Sequence, residues 1–345
     1  MNKLTKIGVS ALCGSLAAVA SAQAGSLSVA GGATATWTKL GYGSTGNPLG
    51  MATYMTFSGS GELDNGTGVA VTIVHDDKSA YSASNITLTT PSMGTFQYDE
   101  GGGTGLDRFD DKMPTAWEET TGTGVATGLV TASGVGGGSD IEWAVPADML
   151  PDGLAAYISW SPKPDGGAAT DKAPTGDANA GIDGAGWDLA LSHTGMVDGL
   201  EVFGAISTIP QTQDATTTTG KIGDQDAWVL GATYAMGGVT FGYQQSYVDY
   251  NQASGASTNV YDNQAYGVSF SVNDDLSISY GMHKSERTLA NEAASIEVEA
   301  ESFQIAYSMG GATIKIAETE ADNADYVSTT AGDKEGTTIM LSLAF

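Results

Sequence analysis

The last nine residues of the sequence, TTIMLSLAF, alternate with a period of two up to the final side chain. Ile339, Leu341, Leu343 and Phe345 fall on one face of an extended strand, with Thr338, Met340, Ser342 and Ala344 on the other. In a water-soluble domain, a terminal edge strand with an apolar face ending in an aromatic residue would pair with other chains. A sheet closed into a barrel has no such edge. This segment therefore predicts an all-β chain that closes on itself.

The other end of the sequence predicts export. Lys3 and Lys6 precede an apolar stretch from Ile7 to Ala20, and Ala22, Gln23 and Ala24 form a small-residue cleavage site before Gly25. The segment is too short to cross a membrane as a helix. Residues 1–24 read as a cleaved secretory signal, leaving 25–345 as the mature chain. The single cysteine, Cys13, lies inside that signal, so disulfides and cysteine-ligated metals are not expected in the mature protein.

Charge and composition exclude two classes. The chain carries 40 acidic and 13 basic residues, a net charge of −27, and Lys3 and Lys6 fall in the signal. Nucleic acid is an unsuitable partner, because neutralising phosphates needs a basic stripe that this chain cannot build. After the signal, no apolar run approaches the roughly 18 residues of a membrane helix, which excludes a helical membrane protein. Charged residues are 15% of the chain, below the roughly 25% of ordinary soluble domains, and Gly, Ser, Thr and Ala take their place.

Alternating segments recur along the rest of the sequence, at 26–39, 51–63, 69–76, 84–90, 95–99, 141–147, 154–160, 187–193, 200–209, 228–236, 239–250, 266–272, 276–283, 302–309, 313–320 and 337–345. That is about sixteen strands, joined alternately by very short turns and by long loops. Gly237-Gly238 and Gly310-Gly311 suit two-residue hairpins, since glycine accepts positive φ. Leu276, Ile278, Tyr280 and Met282 oppose Ser277, Ser279, Gly281 and His283, and Phe303, Ile305 and Tyr307 oppose Ser302, Gln304 and Ala306. A secreted sandwich or β-helix would need a dry core from that second face, and the face is small and polar. Apolar outside and polar inside is instead the pattern of a transmembrane antiparallel β-barrel around water. Trp37, Trp160, Trp187, Trp228, Tyr247 and Tyr250 near strand ends fit interfacial girdles.

With its AQA-cleaved signal, about sixteen strands, a long third loop after GTFQYDE and a terminal aromatic residue, the chain resembles the general bacterial porins, most closely those of alphaproteobacterial type. The resemblance implies a homotrimer of sixteen-stranded barrels in the outer membrane of a Gram-negative bacterium, reached through the periplasm. Each barrel would have its own channel, with the third loop folded into the lumen as a constriction. It also implies that Phe345 helps the barrel-assembly machinery to recognise the last strand. In this family acidic loop side chains usually face a cluster of wall arginines. Here there are only Arg108 and Arg287, and Arg108 lies in the loop itself.

The constriction is expected within residues 100–140. Asp99, Glu100, Asp107, Asp110, Asp111, Glu118 and Glu119 stand there against Arg108 and Lys112. Carboxylates along a narrow aqueous path concentrate cations, because low-dielectric walls focus the field. Lys315 shares a polar face with Thr313 and Ala317 and is the expected lumenal base, while Lys39 and Lys78 lie near strand ends. Residues 102–109, GGTGLDRF, match a calcium-binding nonapeptide, but that fold needs stacked copies and only one is present. No cofactor is expected beyond adventitious calcium on Asp107, Asp110 and Asp111. His75, His193 and His283 are far apart and fit no hydrolase spacing, so an enzyme is not expected. These features describe a passive, cation-preferring diffusion channel for small hydrophilic solutes, embedded in outer-membrane lipid. The rival readings are a channel selective for one nutrient class and a surface adhesin or structural barrel with a plugged lumen.

Overall fold

A computed structural model describes residues 25–43, 46–77, 79–100, 102–164, 184–211, 220–252, 258–290 and 295–344. The expected signal at 1–24, Lys78 and Phe345 lie outside the described residues. The strands are β1 (Ser26–Leu40), β2 (Leu49–Glu62), β3 (Gly68–Asp76), β4 (Ser79–Thr90), β5 (Gly94–Asp99), β6 (Asp140–Ala144), β7 (Leu154–Ser161), β8 (Gly186–Thr194), β9 (Leu200–Ile209), β10 (Gln225–Met236), β11 (Val239–Asp249), β12 (Thr258–Ser271), β13 (Leu276–Leu289), β14 (Ser295–Met309), β15 (Ala312–Asp322) and β16 (Lys334–Ala344). Each pairs antiparallel with its sequence neighbours, and β1 pairs with β16, giving a closed barrel of sixteen strands.

Closure follows the alternation of the last strand. Ile339, Leu341 and Leu343 register against Trp37, Ala35 and Ala33 on the outward face. Thr338 meets Thr38 on the inward face, their hydroxyls 3.2 Å apart. Closure leaves no open sheet edge, which is what allows strands to stand in a bilayer. The short turns use local chemistry: Gly237 and Gly310 have φ of +61° and +60°, and Asn273 Oδ1 accepts the backbone N–H groups of Asp275 and Leu276, each at 2.9 Å.

One expectation about the inner face is corrected. The inward side is not polar throughout: Ala190, Phe203, Ala205, Ala227, Val229 and Val248 form an apolar patch on β8 to β11. Leu106, Phe109 and Met113, from the connection between β5 and β6, pack against it. A dry core therefore exists, but it lies inside the barrel between the long loop and one side of the wall. Two apolar faces on β9 leave its orientation ambiguous to a period-two reading, and only the loop's own apolar side chains resolve it.

Candidate functional site

The connection from β5 to β6 enters the barrel and runs along its inner wall. Its first turn is held by carboxylates that the wall supplies. Asp99 Oδ2 accepts Gly102 N at 3.0 Å, and Asp140 Oδ1 accepts the Thr104 hydroxyl at 2.7 Å. Glu142 Oε2 accepts Gly105 N, and Asp188 Oδ2 accepts Leu106 N, both at 2.8 Å. Asp188 also accepts Val135 N at 3.1 Å as the loop returns, so one buried side chain ties down both ends. These are charge-assisted bonds, the stronger class of hydrogen bond.

The loop's two bases are fixed in the same way. Arg108 pairs with Glu142 and lies 3.5 Å above the Tyr157 ring, and Lys112 Nζ donates to Glu201 Oε1 at 2.9 Å. Phe109 stacks on Phe203 with centroids 4.8 Å apart. Beyond it, Pro114 crosses Gly242 and Gly267, where any Cβ would stand 2.4 and 2.8 Å from its Cδ. Ala116 N then donates to Ser279 Oγ at 2.8 Å, Trp117 N to Gln304 Oε1 at 3.0 Å, and the Thr123 and Thr319 hydroxyls meet at 2.6 Å. The loop thus follows the wall from β6 round to β16.

It leaves the opposite wall uncovered. On β1 only Gly31 and Gly32 are buried, and no residue of β2 or β3 is. The inward positions there include Thr34 and Thr36 on β1, Tyr54, Thr56 and Ser58 on β2, Thr72 and Asp76 on β3, and Thr87 on β4. Among the described residues of β1 to β5 the only basic side chain is Lys39, which registers with Thr337 on the outward face. An aqueous path therefore runs between the acidic loop and a hydroxyl-rich wall without inward Lys or Arg among its described residues.

The expected site residues separate into three groups. Asp111 is exposed on the loop, while Asp110 and Glu118 are half-buried. Asp107 and Glu119 face inward to the protein: Asp107 Oδ2 accepts Gly103 N at 2.8 Å, and Glu119 Oε1 accepts Met113 N at 3.0 Å. Burial pushes Asp107 up to about 6 against the pull of the Gly103 N–H, and Asp110 is raised for the same reason. Burial pushes Glu119 up to about 8, with the neighbouring Asp111, Asp110 and Glu118 adding to the rise. Arg108, Lys112 and Asp99 hold the loop to the wall. Lys315 points inward on β15, in register with Ala306 and Met340 and within electrostatic reach of Glu118.

Glu100 is a correction. Its carboxylate accepts the hydroxyls of Tyr98, at 2.5 Å, and of Ser84, both on the outward face, so it does not enter the path. The cause is that the two-residue period of β5 carries one step past the strand end, placing Glu100 on the side of Tyr98. Of the three aspartates considered for calcium, Asp107 accepts Gly103 N, and among the described residues no group of three or more His, Cys, Asp or Glu side chains is placed to hold a metal. The wall residues Asp140, Glu142, Asp188, Glu201 and Gln304 escaped sequence reasoning. Their signal was a charged or amide side chain at an inward position of a strand, as in Trp187-Asp188-Leu189, where a carboxylate interrupts an apolar run.

Similar solved structures share this architecture. The trimer form of OmpT from Vibrio cholerae is 12% identical, covering 94% of this chain and 100% of that one, with a TM-score of 0.64. OmpF of Salmonella typhi, solved with daunomycin, is 15% identical over 94% of this chain and 98% of its own, at 0.65. A double mutant of the Rh. blastica porin is 15% identical over 93% and 100%, at 0.55. No curated protein sequence matches the chain. The profile of Gram-negative porins matches residues 8–339, nearly the entire sequence. With its closed sixteen-stranded barrel and inner loop, the chain belongs to the Gram-negative porin family.

Proposed function

We propose that this porin is a passive, water-filled diffusion channel for small hydrophilic solutes, and that it prefers cations. The observation that carries the reading is the asymmetry of the lumen: an acidic loop is bound along one side, and the facing wall of β1 to β4 is uncovered and without inward bases among its described residues. A mobile cation in that gap meets carboxylates on one side and hydroxyl dipoles on the other. Arg108 and Lys112 add little opposing charge, because each is paired with a wall carboxylate.

The reading includes export of residues 25–345 behind a cleaved 1–24 signal, insertion assisted by the barrel-assembly machinery through Phe345, and assembly as a homotrimer in outer-membrane lipid. The trimer form of the Vibrio cholerae relative supports the last of these. It needs no cofactor and no catalysis. His75 and His193 sit on the outward face and His283 inward beneath the loop, so the three do not converge. Channels selective for one nutrient class and plugged adhesins are separated by one experiment. Planar-bilayer recording in a salt gradient should give steady conductance and a cation-selective reversal potential. A silent barrel would favour the plugged alternative, and saturable, solute-specific flux would favour the nutrient channel.

A further inference from the structure

We infer that Tyr326 is the positioning residue for the far arm of the inner loop, clamping residues 126–130 from the mouth of the barrel and so fixing the width of the path. The inference rests on the channel reading above. Tyr326 lies in the loop between β15 and β16, which folds inward through a tight turn with left-handed backbone at Ala324–Tyr326.

The backbone there is strained. Asn323, Asp325 and Tyr326 have φ of 54°, 58° and 57°, in the left-handed region. Asn and Asp tolerate that region, whereas a bulky aromatic residue is a genuine outlier. Such a conformation persists only where its surroundings over-determine it. Tyr326 is 4% exposed, with its ring, carbonyl and hydroxyl all engaged. Its ring lies 5.3 Å from that of Tyr261 and beneath the Arg287 guanidinium at 4.7 Å. Its carbonyl accepts from Arg287 at 3.3 Å. Its hydroxyl shares a hydrogen bond with Ser285 Oγ at 2.6 Å and accepts Val130 N, from the inner loop, at 3.3 Å. One phenol thus joins the wall of β12 and β13 to the loop.

The inner loop is built to receive this contact. Asp325 N donates to Thr127 O at 2.9 Å, and Lys334 Nζ donates to Ala126 O at 2.7 Å and to Asp325. Gly128 takes φ of +68° directly beneath Asp325, where a Cβ would stand 2.2 Å from Oδ1. Only a glycine allows the two loops to approach this closely.

The test pairs two substitutions. Tyr326→Phe keeps the ring and loses both hydroxyl bonds. Tyr326→Gly relieves the left-handed strain and loses the ring as well. Each is recorded in planar bilayers, and each is labelled with a nitroxide at Ala126→Cys, an exposed position and the single cysteine of residues 25–345 in the variant. If Tyr326 clamps the arm, Tyr326→Phe should raise open-channel current variance and label mobility, the detached population growing on the order of tenfold for one to two lost hydrogen bonds. Tyr326→Gly should be worse, although its backbone accepts the turn. Heat-modifiable migration in detergent should stay as in wild type in both, which separates positioning from barrel stability. Wild-type variance and mobility in both variants would overturn the inference, as would a glycine variant quieter than wild type. If the wild-type barrel conducts no current, the channel reading fails, and the label alone decides the clamp: equal mobility in wild type and Tyr326→Phe overturns it.

Discussion

Glu119 makes the seating of the inner loop depend on pH. The residue is 8% exposed and its carboxyl sits against Met113 N, with Asp110, Asp111 and Glu118 nearby on the loop and Thr120, His283 and Gln304 around the same small cavity. In the docked loop burial holds it up at about 8, whereas a detached loop returns it to the ordinary value of 4.5. Between those values the docked form keeps a proton that the detached form has released, so docking weakens as pH rises. The slope is about 1.4 kcal/mol per pH unit in the middle of that window and falls as pH nears 8, so the loss between pH 6 and pH 8 is about 2 kcal/mol. Well above 8 both forms are ionised and this group adds no further loss. That change is roughly fiftyfold in the ratio of detached to docked loop. Single-channel recordings from pH 5 to pH 9 should therefore show loop-opening events growing steeply to pH 8 and then levelling. Glu119→Gln keeps the acceptor for Met113 N and cannot ionise, so its profile should lack this rise. Asp107 and Asp110 titrate in both proteins, and the difference between the two profiles isolates Glu119. Superimposable profiles would refute the reasoning.

Four further outcomes are expected. Asp111→Asn with Glu118→Gln should weaken cation preference at low salt and have little effect at 1 M, where the screening length is about 3 Å; unchanged reversal potentials at low salt would place these side chains outside the path. Arg108→Met should leave Glu142 as an unpaired, buried carboxylate at a cost of about 3–5 kcal/mol, seen as a lower temperature for loss of the compact form in detergent, and an unaltered melting temperature would count against the pairing. Asp188→Ala should free both ends of the loop by orphaning Leu106 N and Val135 N, raising mean conductance and proteolysis within residues 102–139, and a loop as resistant as wild type would contradict that role. Deleting Phe345 should lower the yield of inserted barrel, and normal yield would remove its part in assembly.

The wall was legible in the sequence because each strand reports its own orientation. Ile339, Leu341 and Leu343 can be assigned to lipid from nine residues, since a one-residue slip would turn all of them inward. The same holds for Leu276 to Met282, and for the glycine hairpins, whose geometry depends on two residues. The path of the inner loop is a different kind of quantity. Trp117 meets Gln304 at a separation of 187 residues and Thr123 meets Thr319 at 196, and nothing local in either partner encodes the other. The loop's length and its acidity were visible, but not what anchors it. In the folded protein the wall supplies most of the anchoring carboxylates, and the loop supplies backbone N–H groups and two bases. That division has a physical reason. A chain this acidic has few bases to place on its wall, whereas a loop running through the lumen brings many unpaired N–H groups that burial would otherwise leave unsatisfied. Carboxylates at inward positions satisfy them, and Asp188 alone takes donors from both ends of the loop. In the proposed channel, Asp111 and Glu118 are the loop acids that face the permeating ion.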